Sequence, residues 1–163
     1  STVRKNIADF LLKQKDALKH TTNVKAKMTY WSVHQEQKDI LELSEIVRKL
    51  AIEISNPTAK YYTTECWGVL YNKGDSALTH NHFPWIWSWC YYVKTPQGSS
   101  PLVFPQANII FEPKEDELII FPSLAEHFVP PCQCDENRIM ISGNIGLETS
   151  YPPKKQDEKN ITK

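Results

Sequence analysis

At 163 residues, 40% of them hydrophobic and 23% charged, the chain is long enough for one globular domain and too apolar to remain unfolded. Nineteen basic residues balance nineteen acidic ones, so bulk charge gives no reason to expect a nucleic acid or an anionic membrane as partner. No apolar run is long enough to span a bilayer, and Ser1 to Phe10 lacks the apolar centre of a signal peptide, so a cytosolic location is expected.

Helical periodicity comes first along the chain. Ile7, Phe10, Leu11 and Leu18 recur on one face of the segment from Val3 to His20, and Ile40, Leu43, Ile46, Leu50 and Ile54 recur from Gln37 to Ser55. After the break at Ser55 to Lys60 the pattern changes to short β-branched and aromatic runs separated by Gly, Pro, Asn and Asp. These runs begin at Tyr61, Trp85, Pro101, Ala107, Asp116 and Asn137. Strands of this length and spacing suggest a sandwich or small barrel, and with no crossover helix between them the sheets should be mainly antiparallel. The expectation is one mainly β domain over residues 1–150 with a helical part over 1–56, followed by a polar, disordered tail over 151–163. Cys66 and Cys90 sit in apolar runs and read as small buried hydrophobes; Cys132 and Cys134, in a Pro-rich turn, read as loop residues and not as a zinc site.

Two of the five histidines fall two residues apart, at His80 and His82. On a strand both imidazoles leave the same face, which is a bidentate ligand spacing. A third ligand must come from elsewhere, and His127, just beyond the apolar run Leu118–Phe121, is the candidate; two histidines with a remote third leave coordination positions open. Arg138 opens the run that follows. An arginine on the inner face of a small barrel is costly unless an anion meets it, and its planar fork suits a carboxylate. Ser142, four residues on, shares that face. Trp85, Trp87, Trp89 and Tyr91 alternate along one strand, and the choice for them lies between core filling against the helices and the wall of a substrate cleft. The letters His80–Asn81–His82 also occur in nucleases, but the required ββα-metal context is absent.

Together these residues resemble the iron(II)- and 2-oxoglutarate-dependent dioxygenases, most of all the branch similar to prolyl 4-hydroxylases. Tyr71, Gly74 and His80 keep the register of that branch's motif, while Ala77 replaces its second tyrosine and His82 its iron-binding aspartate. A small group of bacterial and phage oxygenases looks nearer still, matched here by His80–Pro84, Ser88–Val93, Glu115–His127 and Arg138–Ile145. The resemblance covers about residues 61–146 and implies a double-stranded β-helix, a jelly-roll or cupin-like barrel. It implies Fe(II) and O2 as cofactors, 2-oxoglutarate as cosubstrate, metal ligands His80, His82 and His127, and hydroxylation of a peptide, with a prolyl side chain as one candidate, or of a small molecule, with release of succinate and CO2. Arg138, Ser142, Tyr71 and Tyr91 would hold 2-oxoglutarate. Three neutral imidazoles leave the full divalent charge for the cosubstrate to balance, and they also suit zinc, nickel or copper. Glu126 is disfavoured as a substitute carboxylate because strand neighbours face opposite ways. Two other readings remain: a cupin-like metal protein, since Gly74 to His82 also fits the cupin opening although Ile86 and Trp87 stand where its glutamate belongs, and a non-catalytic barrel that binds a partner.

Overall fold

A computed structural model describes residues 1–19 and 22–148; the tail at 151–163 and His20 lie outside them. The helices α1 (Thr2–Lys13) and α2 (Lys38–Ile54) flank two short strands, β1 (Val24–Lys25) and β2 (Lys27–Met28). Eight strands follow: β3 (Tyr61–Tyr71), β4 (Ser76–His80), β5 (Trp87–Lys94), β6 (Leu102–Phe104), β7 (Ile109–Phe111), β8 (Leu118–Pro122), β9 (His127–Val129) and β10 (Arg138–Leu147). They form two five-stranded sheets, ordered β2-β3-β10-β5-β8 and β1-β4-β9-β6-β7, and every named pair is antiparallel, as the strand spacing predicts.

Helix ends follow local chemistry. The Ser1 hydroxyl accepts the Arg4 amide and the Gln37 side chain accepts the Ile40 amide, each satisfying an N–H that the first turn leaves orphaned. α1 stops at Lys13, short of the predicted His20, and the chain turns through Gln14 to Ala17 while Leu18 still packs on the core. In α2 the buried stripe is Ile40, Ser44, Val47 and Ala51. Ile46 and Ile54, expected on the core face, are more than half exposed. Both neighbouring stripes are apolar, and the one that meets the sheet is rotated from the one that periodicity favours.

Two cores lie on opposite faces of the larger sheet. On the helix side, Ile7, Leu11, Ile40 and Val47 meet Cys66, Trp89, Tyr91, Ile139, Ile141 and Ile145. On the inner side, Trp67, Val69, Tyr71, Cys90, Tyr92 and Met140 meet Val24, Ala77, Leu102 and Val129 of the smaller sheet. Period-2 alternation sorts each strand between them. At Gly68 an added Cβ would lie 2.6 Å from Leu11 Cδ2, so the absence of a side chain makes room for Leu11 of α1 against the sheet. All four cysteines are buried and free, as expected of the pair Cys66 and Cys90 and more than expected of Cys132 and Cys134.

Candidate metal centre

β4 and β9 pair in the smaller sheet with His80 directly opposite His127, and His82 follows two residues after β4 ends. His82 is thus in a loop and not on the strand. Its amide donates to the Ser123 carbonyl at 2.8 Å, which bends the loop back over the barrel mouth. The three rings converge, with centroids 4.4 to 5.1 Å apart, and one ligand atom from each lies within 4.8 Å of the others. Small ring rotations would let all three reach one ion at ordinary imidazole bond lengths of about 2.0–2.1 Å. Among the described residues this is the one cluster able to hold a metal in this way.

Two rings are oriented identically. His80 Nδ1 lies 2.7 Å from the Leu78 carbonyl and His127 Nδ1 lies 2.9 Å from the Ala125 carbonyl, in each case the residue two positions earlier. A carbonyl only accepts, so both Nδ1 atoms carry the proton and both Nε2 atoms keep the lone pair that can bind a metal. Packing against Trp67, 5.6 Å away, positions His82. Burial and the mutual repulsion of the rings favour the neutral forms: His82 is pushed down to about 3 and His127 to about 4 by burial first, and His80 is lowered for the same reason. Neutral imidazoles are the metal-binding species, so the donor set fits a transition metal.

The inner face of β10 presents Arg138, Met140, Ser142 and Asn144 in turn, and that of β3, its antiparallel neighbour, presents Tyr71, Val69, Trp67 and Glu65 opposite them. Arg138 is fully buried, makes no ion pair among the described residues, and none of its three guanidinium nitrogens makes a hydrogen bond of good geometry, although the Tyr71 and Tyr92 hydroxyls are close enough to act on it. Its Cζ stands 4.7 Å over the Tyr71 ring and 5.5 Å from that of Tyr92. Burial lifts the Tyr71 phenol to about 12 against the pull of the guanidinium, and Tyr92 is raised for the same reason, so both remain neutral donors. The Ser142 hydroxyl lies 3.3 Å from the Cys90 sulfur, in the wall of an inner cavity of about 30 Å3 that the three histidines also border.

Tyr91 is placed differently from expectation. It faces the helix-side core and donates to the Asp116 carboxylate at 2.5 Å; the tyrosine beside Arg138 is its neighbour Tyr92. The same alternation takes Trp87 and Trp89 out of a substrate cleft. Both pack on the helix side, Trp89 fully buried against the surface of Gly143 and Trp87 donating to the Ser55 hydroxyl, although Trp89 also borders the inner cavity. Only Trp85, which precedes β5 and escapes its alternation, turns to the mouth, where its Nε1 donates to Glu65 at 3.1 Å.

A polar chain that the sequence reading does not contain runs along the mouth. Ser123 meets Ser88, Ser88 donates to Asn144, and Asn144 donates to Glu65, at 2.8, 2.8 and 2.7 Å. Beside it opens a second cavity, of about 250 Å3, lined by His80, His82, Glu65, Trp31, Trp67, Phe83, Trp85 and Asn144 among others. The signal available in the sequence was Glu65, a lone charge inside an apolar strand.

Fold and site together define a double-stranded β-helix with a three-histidine centre at one end and a buried arginine deeper in the barrel. No protein-family model and no curated protein sequence matches the chain. Its solved structural neighbours are 2-oxoglutarate and iron(II) oxygenases. A viral collagen prolyl hydroxylase from Paramecium bursaria Chlorella virus-1, in complex with 2-oxoglutarate, aligns over 89% of this chain and 90% of its own with a TM-score of 0.68 at 18% identity. A Pseudomonas putida prolyl-4-hydroxylase aligns over 90% and 86% at 0.67 and 17%, and HygX from Streptomyces hygroscopicus, with nickel and 2-oxoglutarate bound, over 90% and 78% at 0.65 and 9%. The chain therefore has the fold of the 2-oxoglutarate and iron(II) oxygenases.

Proposed function

We propose that this protein is a 2-oxoglutarate-dependent iron(II) dioxygenase that hydroxylates a peptide or small molecule. One observation carries the reading: Arg138 is buried without an anionic partner on the inner face of the strand that also presents Ser142, inside the barrel that gathers His80, His82 and His127. A cation left so needs an anion, and a distal carboxylate is the anion its fork fits.

His80, His82 and His127 would hold the metal through neutral nitrogens, two of them fixed by main-chain carbonyls. Arg138 would grip the distal carboxylate of 2-oxoglutarate, with the Ser142, Tyr71 and Tyr92 hydroxyls as neutral donors nearby. When bound, iron(II) supplies the oxidative chemistry, in which O2 and the keto acid give succinate, CO2 and one oxygen atom inserted into a substrate C–H bond. The chain's own work is orientation and exclusion of water. The inner cavity admits about one water, so a five-carbon diacid needs side chains of its lining to move aside. The four free thiols support a reducing compartment such as the cytosol, and no described helix is long and apolar enough to cross a membrane.

The test is anaerobic titration of the iron(II)-loaded protein with 2-oxoglutarate. The expected result is a visible metal-to-ligand charge-transfer band that is lost in Arg138→Ala while iron stays bound. Bound iron with no band in the unaltered protein would refute the cosubstrate and favour a cupin-like metal protein or a non-catalytic barrel.

A further inference from the structure

Among the described residues that line the mouth cavity, where the histidines are neutral, one carries a charge. They include Glu65 and neither lysine nor arginine. Lys25, bonded to the Thr22 carbonyl at 2.7 Å, is not among them. Two neutral donors, Trp85 Nε1 and Asn144 Nδ2, fix Glu65 through a single oxygen, Oε2. Its Oε1 accepts no hydrogen bond from the described residues, and Glu65 forms no ion pair among them. A carboxylate held in place by dipoles, with its charge uncompensated and one oxygen left open, is a receptor for a cation.

The walls agree with that charge. Trp31, Trp67, Trp85 and Phe83 line the same space, and aromatic faces attract ammonium and guanidinium groups most strongly where water is excluded. At about 250 Å3 the cavity is below the usual size for drug-like ligands, about 300–1,000 Å3, and suits a group the size of one side chain. Position agrees as well. Glu65 is two residues before Trp67 on the same face of β3, and the Trp67 ring lies 5.6 Å from that of His82. A group seated on Glu65 therefore lies one strand repeat of about 7 Å further out than the wall beside the metal centre.

We propose that the substrate carries a cation, a protonated or quaternary amine, bound between the Glu65 carboxylate and the aromatic walls so that a neighbouring C–H bond faces the histidine cluster. This rests on the oxygenase reading for what happens to that bond, and on the cavity alone for what is recognised. A neutral prolyl ring would leave the charge of Glu65 unanswered.

The test uses a matched pair of probes on the full chain: choline, and its neutral isostere in which a tert-butyl group replaces the trimethylammonium. Tryptophan fluorescence reports binding of each, and the iron(II) and 2-oxoglutarate band is recorded in parallel. Choline is expected to bind at least about tenfold more tightly than the isostere. Glu65→Gln keeps an acceptor for Trp85 and Asn144 but removes the charge, and should bring the two probes within about twofold while the band persists. Equal binding of the probes by the unaltered chain, or a preference that survives Glu65→Gln, overturns the cation assignment and leaves the cosubstrate reading intact. A missing band with the choline preference retained sinks the oxygenase reading and supports the cation site.

Discussion

Arg138 is a stability cost until an anion reaches it. Its contacts with the Tyr71 and Tyr92 rings offset part of the desolvation, by about 2 kcal/mol or somewhat more. Arg138→Met should accordingly leave the cosubstrate-free protein as stable or make it more stable, by up to about 4 kcal/mol, while abolishing 2-oxoglutarate binding. Thermal melts of both proteins with and without 2-oxoglutarate check this, and a large loss of stability in the free variant would mean that the guanidinium is structural. His80→Ala and His127→Ala should each remove bound metal, read by metal analysis after dialysis; retention of iron in both would refute the three-histidine centre. Arg138 and the histidines are legible from sequence because each is the wrong kind of residue for an apolar strand or lies at a ligand spacing. Glu65 bears the same mark, yet its meaning depends on Asn144 across the sheet and Trp85 in a loop, and a single sequence carries no register between strands.

At the scale of elements, alternation decides most of the site and explains what sequence reading misplaces. Tyr91 and Tyr92 are adjacent, so one faces the helices and the other the barrel, and only the assembled sheet says which. The helices have no part in the metal cluster; they cover the back of the larger sheet, where Leu11 fills the space above Gly68. Leu11→Ala should cost about 2–5 kcal/mol in denaturant unfolding. Gly68→Ala should cost about 1–3 kcal/mol, because its Cβ forces the Leu11 side chain out of its present position, and should leave the metal ligands in place. Unchanged stability of Gly68→Ala would show that the Leu11 side chain yields freely. The short strands β1, β2, β4 and β9 are invisible in the sequence because, unlike the equally short β6, β7 and β8, they carry no marked β-branched or aromatic run, and their pairing is long-range. The long strands β3, β5 and β10 are visible because they carry continuous apolar runs.

For the molecule as a whole, metal and cosubstrate should stabilise the fold by linkage: an ion at one hundred times its dissociation constant adds about 2.7 kcal/mol. Iron(II) under nitrogen should therefore raise the melting temperature, and 2-oxoglutarate should raise it further only when the metal is present. The double-stranded β-helix is foreseeable from strand spacing and the histidine and arginine motifs together; strand order is not. That order has a consequence for synthesis. β10 is translated after the nine other described strands yet lies at the centre of its sheet, between β3 and β5. Until it emerges from the ribosome, those two strands have open flanks, the kind of exposed edge on which nascent chains misassemble. The histidine ligands and the groups that position them lie on β3, β4, β9 and the loops after β4 and β8, all translated before β10, so the nascent chain can gather its metal-binding half first, and Arg138, Ser142 and Asn144 arrive together as the strand that closes the barrel.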